Sequence, residues 1–150
     1  MNKKGFTLVE LLAVIVLIGV VATIATVSIN GIQRRVELNM FKSKLELALG
    51  AVENWGLDNK EYLKDSLQVK DKTVLGKEIS VSELMDNEYL SADSYDDTGK
   101  GHIFDSNDED IRGNVNFYAY NYNGRIYSCI SKYPSSVMDD IKAVYEELSC

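Results

Sequence analysis

The N-terminal region combines a short basic start, a glycine and one acidic side chain inside an apolar run. Two lysines and Gly5 precede the segment 6–10 (FTLVE), and residues 11–33 contain no charged side chain. A charged group at the centre of a membrane helix costs roughly 2.5–3.5 kcal/mol on insertion scales, so its presence there indicates a functional site. The carboxylate of Glu10 is therefore the first group whose chemistry needs a physical reason.

A second candidate site lies in segment 105–110, which concentrates the carboxylate and amide oxygens that Ca²⁺ binds. We favour a solvated acidic loop instead, because Asp110 stands where a calcium-binding EF-hand loop has its glycine. The weak candidate ligands are Asp105, Asn107 and Glu109. His102 is the one histidine of the chain, and we interpret it as a surface loop residue.

The rest of the sequence lacks the patterns of catalytic or cofactor chemistry. It contains no glycine-rich phosphate loop, no Cys/His metal cluster and no nucleophile motif. We therefore predict no enzyme activity, no cofactor and no metal. The formal net charge of −7 also disfavours direct nucleic acid binding, since neutralising a phosphate backbone requires Lys and Arg side chains.

Residues 6–55 predict one long helix whose two halves differ in character. The first half is apolar all round, and residues 6–29 form a longer run than the about 20 residues that suffice to span a bilayer. The second half is amphipathic, and Gly56 is a predicted stop signal. Apolar residues three and four apart form a stripe that we expect to pack on a domain core: Leu38, Phe41, Leu45, Ala48, Val52 and Trp55.

The C-terminal third predicts a β-hairpin. Asn123 and Gly124 lie between two strand-like runs, and this pair is the strongest short hairpin signal because both turn residues take positive φ. We expect one face of the hairpin to lie on the long helix. The opposite face, which we call the Tyr face, contains Tyr118, Tyr120, Tyr122 and Tyr127, and we expect it to be partly covered. A two-residue turn pairs Tyr122 with Arg125, Tyr120 with Tyr127, Tyr118 with Cys129 and, on the helix-facing side, Phe117 with Ile130.

Two short helices complete the predicted elements. One lies within residues 78–90, with Ser80 or Ser82 as its N-cap. The other begins after Ser135 or Ser136, and we expect it to cover the Tyr face of the hairpin. Its apolar stripe at helical spacing consists of Val137, Met138, Ile141, Val144, Tyr145 and Leu148.

The N-terminal segment resembles the processing site of type IV pilins and of the related pseudopilins. The resemblance rests on the order of basic residues, Gly5, Phe6, Thr7 and Glu10 at the start of an apolar run. The resemblance implies a leader that prepilin peptidase cuts between Gly5 and Phe6, followed by N-methylation of Phe6. It also implies other pilin subunits, an assembly ATPase and a membrane platform protein as partners. A conventional secretory signal and a plain membrane anchor are the alternatives, and neither explains Glu10.

The two cysteines fit this interpretation. Cys129 should point to the Tyr face, and Cys150 ends the helix expected to lie on it. In an oxidising exterior an even number of cysteines indicates a bridge, and the resemblance agrees, because many pilins close their C-terminal region with a disulfide. Two free, buried thiols remain the alternative.

Together these features predict an α+β pilin fold: a long N-terminal helix packed on a small antiparallel sheet, with a C-terminal helix. We predict a leader at 1–5, a transmembrane and filament-core helix at 6–30 and a globular headgroup at 31–150. The protein is expected to enter the cytoplasmic membrane as a single-pass prepilin and then to join an extracellular filament.

Three functions remain open on the sequence. The first is a structural subunit of a type IV pilus for adhesion, twitching motility or aggregation. The second is a pseudopilin of a type II secretion or competence (DNA-uptake) machine, and the third is a membrane-anchored surface-binding domain that never polymerises. In the first two, we expect the Glu10 carboxylate to pair with the cationic amine of Phe6 on a neighbouring subunit, which offsets the cost of both charges in an apolar layer. The alternative is a pair within one subunit that only aids membrane insertion.

Overall fold

The computed structural model describes residues 7–150, except for the side chains of residues 24–28 and 30. Contacts group the chain into two units that divide between Glu37 and Leu38. The helices are α1 (Leu8–Asp58), α2 (Val81–Asp86) and α3 (Asp139–Leu148), with a 3₁₀ turn at Lys60–Tyr62. The strands are β1 (Asp65–Val69), β2 (Lys72–Ser80), β3 (Ser94–Tyr95), β4 (Gly101–His102), β5 (Asn116–Tyr122) and β6 (Arg125–Lys132).

The layout is the α+β arrangement that the sequence predicted: an N-terminal helix, a small antiparallel sheet and a C-terminal helix. The main sheet has the strand order β1-β2-β5-β6, and β3 pairs with β4 in a separate two-stranded sheet. Among the residues that the structure describes, no helix is both long and apolar enough to count as a membrane-crossing segment.

Helix α1 packs on the main sheet through the predicted stripe. Phe41, Leu45, Ala48, Val52 and Trp55 are all buried, with Leu38 half-buried beside them. They share one core cluster with strand residues on the helix-facing side of the sheet: Ile79, Phe117, Ala119, Ile126 and Ile130. The spacing of three and four residues in the sequence therefore identified the helix face correctly.

The prediction that Gly56 stops α1 is wrong, because the helix continues to Asp58. A β-carbon at Gly56 would lie 2.8 Å from Cγ2 of Ile126 and 3.4 Å from the β-carbon of Ala119. The missing side chain therefore lets the helix backbone approach the sheet closely. Helix–sheet packing, and not helix termination, explains the glycine at this position.

The β5–β6 hairpin matches the prediction in turn and register. Tyr120 pairs with Tyr127, Tyr118 with Cys129 and Phe117 with Ile130. Asn123 and Gly124 have φ angles of 53° and 81°, as a two-residue turn with positive φ at both positions requires. The sheet extends further than predicted, because β1 and β2 form another hairpin around Lys70, whose φ is 53°. Lys-Asp is not a typical turn pair, so no strong sequence signal marks this hairpin.

Helix α2 begins as predicted and ends in a left-handed residue. The Ser80 side chain accepts a hydrogen bond from the Glu83 amide at 3.2 Å and caps the helix. At the other end Glu88 has a φ of 62°. The amides of Glu88 and Tyr89 donate to the carbonyls of Met85 and Leu84, which is the pattern of a Schellman cap.

Helix α3 does not cover the Tyr face, contrary to our expectation. Its buried residues Ile141 and Tyr145 belong to the core cluster that contains α1. The Tyr145 ring stacks on Tyr133, with 4.8 Å between the centroids, and meets Phe41 edge-on at 5.4 Å. These aromatic contacts hold α3 beside α1. The buried residues on the Tyr face form a second, smaller cluster without α3.

The start of α3 also differs from the prediction. Its N-cap residue is Met138, which provides no side-chain hydrogen bond, and not Ser135 or Ser136. Asp139 and Asp140 occupy the first turn. Negative charges there interact favourably with the positive end of the helix dipole, so the acidic pair supports the later start.

We predict opposite effects for alanine at two glycines of α1. Gly50→Ala should stabilise the protein by about 1 kcal/mol, since a β-carbon meets nothing within 4 Å there and alanine is the better helix former. Gly56→Ala should be less favourable than Gly50→Ala by about 1–3 kcal/mol because it forces the helix against Ile126. Urea unfolding of both variants measures the difference, and equal stabilities would contradict the close-approach explanation.

Candidate functional site

Glu10 lies in the first turn of α1 and is bonded to Thr7. The Thr7 amide and hydroxyl both donate to Oε2 of Glu10, each at 2.9 Å. In return, the Glu10 amide donates to Oγ1 of Thr7 at 3.3 Å. Thr7 immediately precedes α1, so the two residues form a capping box, in which the N-cap and the third helical residue satisfy each other's backbone amides.

The capping box is a role for Glu10 that our sequence analysis missed. Its signature is a Ser or Thr followed three residues later by Glu or Gln, and Thr7 and Glu10 have that spacing. The box needs only the amide and side chain of Thr7, so cleavage between Gly5 and Phe6 would leave it intact. Gly5 and Phe6 themselves lie outside the described residues, and the pairing of Glu10 with a neighbouring amine stays a prediction.

The helix that follows Glu10 presents apolar side chains without cover. Every large apolar residue from Leu8 to Val21 is exposed, from 48% at Val14 to 81% at Leu8. Ile29, Ile32 and Val36 are exposed as well. Burial of apolar surface is worth roughly 25 cal/mol per Å², so this segment has a strong tendency to acquire a cover of lipid or protein.

Cys129 and Cys150 are joined in a disulfide. The residues that follow α3 run beside the edge strand β6, where Ser149 forms a parallel bridge with Ile130. The Cys150 amide donates to the Ile130 carbonyl at 3.1 Å. Cys150 therefore reaches the Tyr face along the sheet edge, and not on a helix that covers that face.

Segment 105–110 is organised by its own backbone. Asp105 is buried, which differs from the solvated loop that we expect, whereas Asp108 and Glu109 are exposed. Its Oδ1 accepts hydrogen bonds from the amides of Asn107 and Glu109, at 2.7 and 3.0 Å. Within the described part of the chain, no group of three His, Cys, Asp or Glu residues is placed to hold a metal ion. The weak calcium candidates Asp105, Asn107 and Glu109 thus have a structural explanation in the loop turn.

His102 is half-buried in β4 between two carboxylates, and so is not the surface loop residue that we expect from the sequence. Nδ1 lies 2.6 Å from Oδ2 of Asp110, and Nε2 lies 3.3 Å from Oδ2 of Asp96. These hydrogen bonds raise the pKa of His102 above its ordinary value. The Thr98 hydroxyl and the Lys100 amide, which donate to Asp96, hold the pKa of that carboxyl well below its usual range.

The imidazole, on β4, connects two loop segments. Asp96 follows β3, and Asp110 is the last residue of segment 105–110. Arg112 extends the network, since its guanidinium donates to the Gly101 carbonyl and to Asp86 of α2, both at 2.8 Å. This network of charges holds the irregular middle of the headgroup together, and sequence alone could not place its members side by side.

Comparison with known families identifies the N-terminal segment. Residues 1–26 match the family described as the prokaryotic N-terminal methylation motif, which is the signature of type IV pilin and pseudopilin prepilins. The match includes Gly5, Phe6 and Glu10, so the resemblance stated from the sequence is confirmed for this motif. Comparison with curated proteins and with solved structures gives no match.

The His102 contacts predict a pH-dependent stability. The folded pKa is raised above the unfolded value of about 6.5, so the stabilisation is fully present below pH about 6.5 and is lost as pH rises through the folded pKa. Urea unfolding at intervals from pH 6 to pH 9 should show falling stability in the wild type and a flatter profile in His102→Gln. An imidazole pKa at or below 6.5 in an NMR titration would contradict the assignment.

The disulfide predicts a measurable loss of stability on its removal. It joins residues 21 apart in sequence, and closing a loop of that size is worth roughly 3 kcal/mol in the chain-entropy model. Cys129→Ala/Cys150→Ala should lower the free energy of unfolding by about that amount, and reducing agent should lower it similarly in the wild type but leave the double variant unchanged. Two thiols alkylated without prior reduction would show that the bridge does not form.

Proposed function

We propose that this chain is a structural subunit of a type IV pilus. It is inserted into the membrane as a prepilin, cleaved after Gly5, methylated on Phe6 and polymerised into a surface filament. The observation that carries the proposal is the methylation motif at residues 1–26, which includes a helical segment whose large apolar side chains, from Leu8 to Val21, are exposed.

The apolar segment supplies the driving force for assembly. In the membrane, lipid would cover the side chains from Leu8 to Val21, and on extraction the helices of neighbouring subunits would replace that lipid. Repeated head-to-tail contacts that do not close on themselves produce an open helical filament. The same side chains thus serve as a membrane anchor first and as filament core afterwards.

The headgroup is suited to be carried on such a filament. Its core cluster is formed by residues between Phe41 and Tyr145, so it does not require the apolar segment for its own packing. The disulfide ties Cys150 to β6, which would protect the segment after α3 against pulling and proteases. We propose that the headgroup is a structural and adhesive module, and that the chain is the substrate of an enzyme and has no enzymatic activity of its own.

Glu10 has two possible contributions to assembly. One is local, because the capping box with Thr7 stabilises the first turn of the helix. The other is between subunits, where the carboxylate would neutralise the Phe6 amine of a subunit already in the filament. The oxygen Oε1 takes no part in the bonds to Thr7 described above, so one carboxylate is able to serve both partners. We propose that the charge recruits subunits and that the cap only orients it.

One prediction from this proposal concerns processing. The mature protein isolated from the cell surface should begin at Phe6 and carry one added methyl group on its amine. Intact-mass analysis and N-terminal fragment sequencing determine both features together. A mature start near Thr26 would indicate ordinary secretory cleavage and would contradict the pilin proposal.

Another prediction from this proposal separates the charge of Glu10 from its role in the capping box. Glu10→Gln retains an acceptor for the capping box but removes the charge, whereas Thr7→Ala removes the partner and retains the charge. If the charge recruits subunits, filament yield should fall at least about tenfold in Glu10→Gln, because an unpaired amine would be buried, and remain near the wild-type level in Thr7→Ala. Sheared filaments are quantified in cells that lack the wild-type chain.

Two controls make this comparison decisive. Glu10→Ala, which loses both functions, should be cleaved and membrane-inserted normally and should match the filament yield of Glu10→Gln. Membrane fractionation and intact mass verify those two steps. Normal filaments from Glu10→Gln, together with a defect in Thr7→Ala, would show that the capping box is the essential contribution and that the charge is dispensable.

A further inference from the structure

The outer face of the main sheet contains a groove lined by tyrosines. It has a volume of about 340 Å³ and lies beside the β1–β2 turn. We call it the tyrosine groove, and the residues on which the argument rests are Tyr120, Tyr122, Tyr127, Lys72, Val69 and Val74. Strand pairing places the aromatic residues on the face opposite to α1, since Phe117 and Ala119 point to the helix-facing core.

The rings of the groove are held in fixed positions. Tyr120 and Tyr127 are cross-strand partners, and their rings stack with centroids 5.8 Å apart and an interplanar angle of 24°. Lys72 donates to the Tyr122 hydroxyl at 2.9 Å, and its Nζ lies 4.5 Å from the centroid of that ring. This hydrogen bond from Lys72 lowers the pKa of the Tyr122 hydroxyl. The aromatic surface is therefore preorganised.

The floor of the groove is apolar and its rim is polar. Val69 and Val74 are buried in the smaller core cluster, which Tyr118, Tyr120 and Cys150 partly cover. Tyr122 and Tyr127 remain 37% and 38% exposed. A concave site with aromatic walls and a few polar groups is the usual form of a small-molecule site, and the exposed rings are available to a ligand from solvent.

The charges around the groove indicate an uncharged ligand. Of the charged residues that line the groove, Lys70 and Lys72 are cationic and Asp71 is anionic, while Arg125, Asp65 and Glu78 lie elsewhere on the same sheet face. The lining therefore mixes both signs of charge and has a net charge of only +1, whereas the whole chain has a formal net charge of −7. A nucleic acid would bring one phosphate for each nucleotide and would need a cationic groove. A neutral polyol has no phosphate groups and therefore needs no cationic groove.

We propose that the tyrosine groove binds neutral pyranose sugars, with a C–H face of the sugar ring on Tyr127 and with hydroxyls bonded to the polar rim. The face of an aromatic ring carries partial negative charge, and the axial C–H groups of a pyranose carry partial positive charge. Lys70 and Asp71 at the turn supply a donor and an acceptor for hydroxyl groups. The site depends on the headgroup alone, so it is independent of the assembly role proposed above.

The test uses the full-length protein in a zwitterionic detergent that contains no sugar. Saturation-transfer NMR is recorded with maltotriose, chitotriose and lactose as neutral probes, with sialyllactose as an anionic sugar and with oligo-dT as a single-stranded nucleic acid. At least one neutral probe should receive saturation at its pyranose C–H protons. Tyr127→Ala should weaken that binding about fivefold, which corresponds to the loss of about 1 kcal/mol of stacking.

Two further variants control for folding and for nonspecific aromatic contact. Tyr127→Phe retains the ring and should bind within about twofold of the wild type. Tyr95, which is 68% exposed on the other sheet, provides a matched control, and Tyr95→Ala should bind as the wild type does. The proposal is overturned if none of the neutral probes binds, if Tyr127→Ala binds as tightly as the wild type, or if sialyllactose or oligo-dT binds more tightly than every neutral probe.

Discussion

The headgroup depends on the close packing of α1 against the helix-facing side of the main sheet. The contact buries Trp55 and the aliphatic residues of the α1 stripe in one cluster with Phe117, Ala119 and Ile126. Gly56 makes it possible, because any β-carbon at that position would collide with Ile126. The remaining elements add to this layer: α3 closes one side through Tyr145, and the disulfide fixes the last residue at the edge of β6.

Packing on one side of the sheet leaves the other side available. All three helices contribute their clustered buried side chains to the same core, and the smaller cluster consists, within the described residues, of strand residues and Cys150. Aromatic side chains on such an open face are partly exposed, as Tyr122 and Tyr127 are. One physical cause, a core built on a single sheet face, therefore produces both the stable headgroup and the candidate binding groove.

The irregular segment between α2 and β5 is stabilised in another way. It contains the two short strands β3 and β4, and its turns form further backbone hydrogen bonds. Charged side chains add to these bonds: Asp96 and Asp110 bind His102, and Arg112 binds Asp86. Lys44 on α1 adds a contact to Asp93 at 2.6 Å. Because these pairs are partly exposed, each contributes modestly, and together they orient loops that lack a core of their own.

The sequence by itself determined the features that depend on local chemistry. The methylation motif, the apolar run, the stripe from Leu38 to Trp55 and the Asn123–Gly124 hairpin with its register all follow from residue types at fixed spacing. The capping box of Thr7 and Glu10 has the same local origin and was readable, although we did not predict it.

Tertiary structure decided the features that join distant segments. Which side of the sheet α3 occupies depends on how Tyr145 fits between Phe41 and Tyr133, and its apolar stripe would suit either side. The interpretation of Gly56 as a stop signal is wrong, because the need for a glycine there comes from the close contact with Ile126 on β6. His102 likewise pairs with Asp96 and Asp110 only because the loops bring these residues together, and no local sequence pattern predicts the paths of those loops. Spacing along the chain specifies periodic elements, whereas their neighbours are selected by steric fit and by charge pairing in three dimensions.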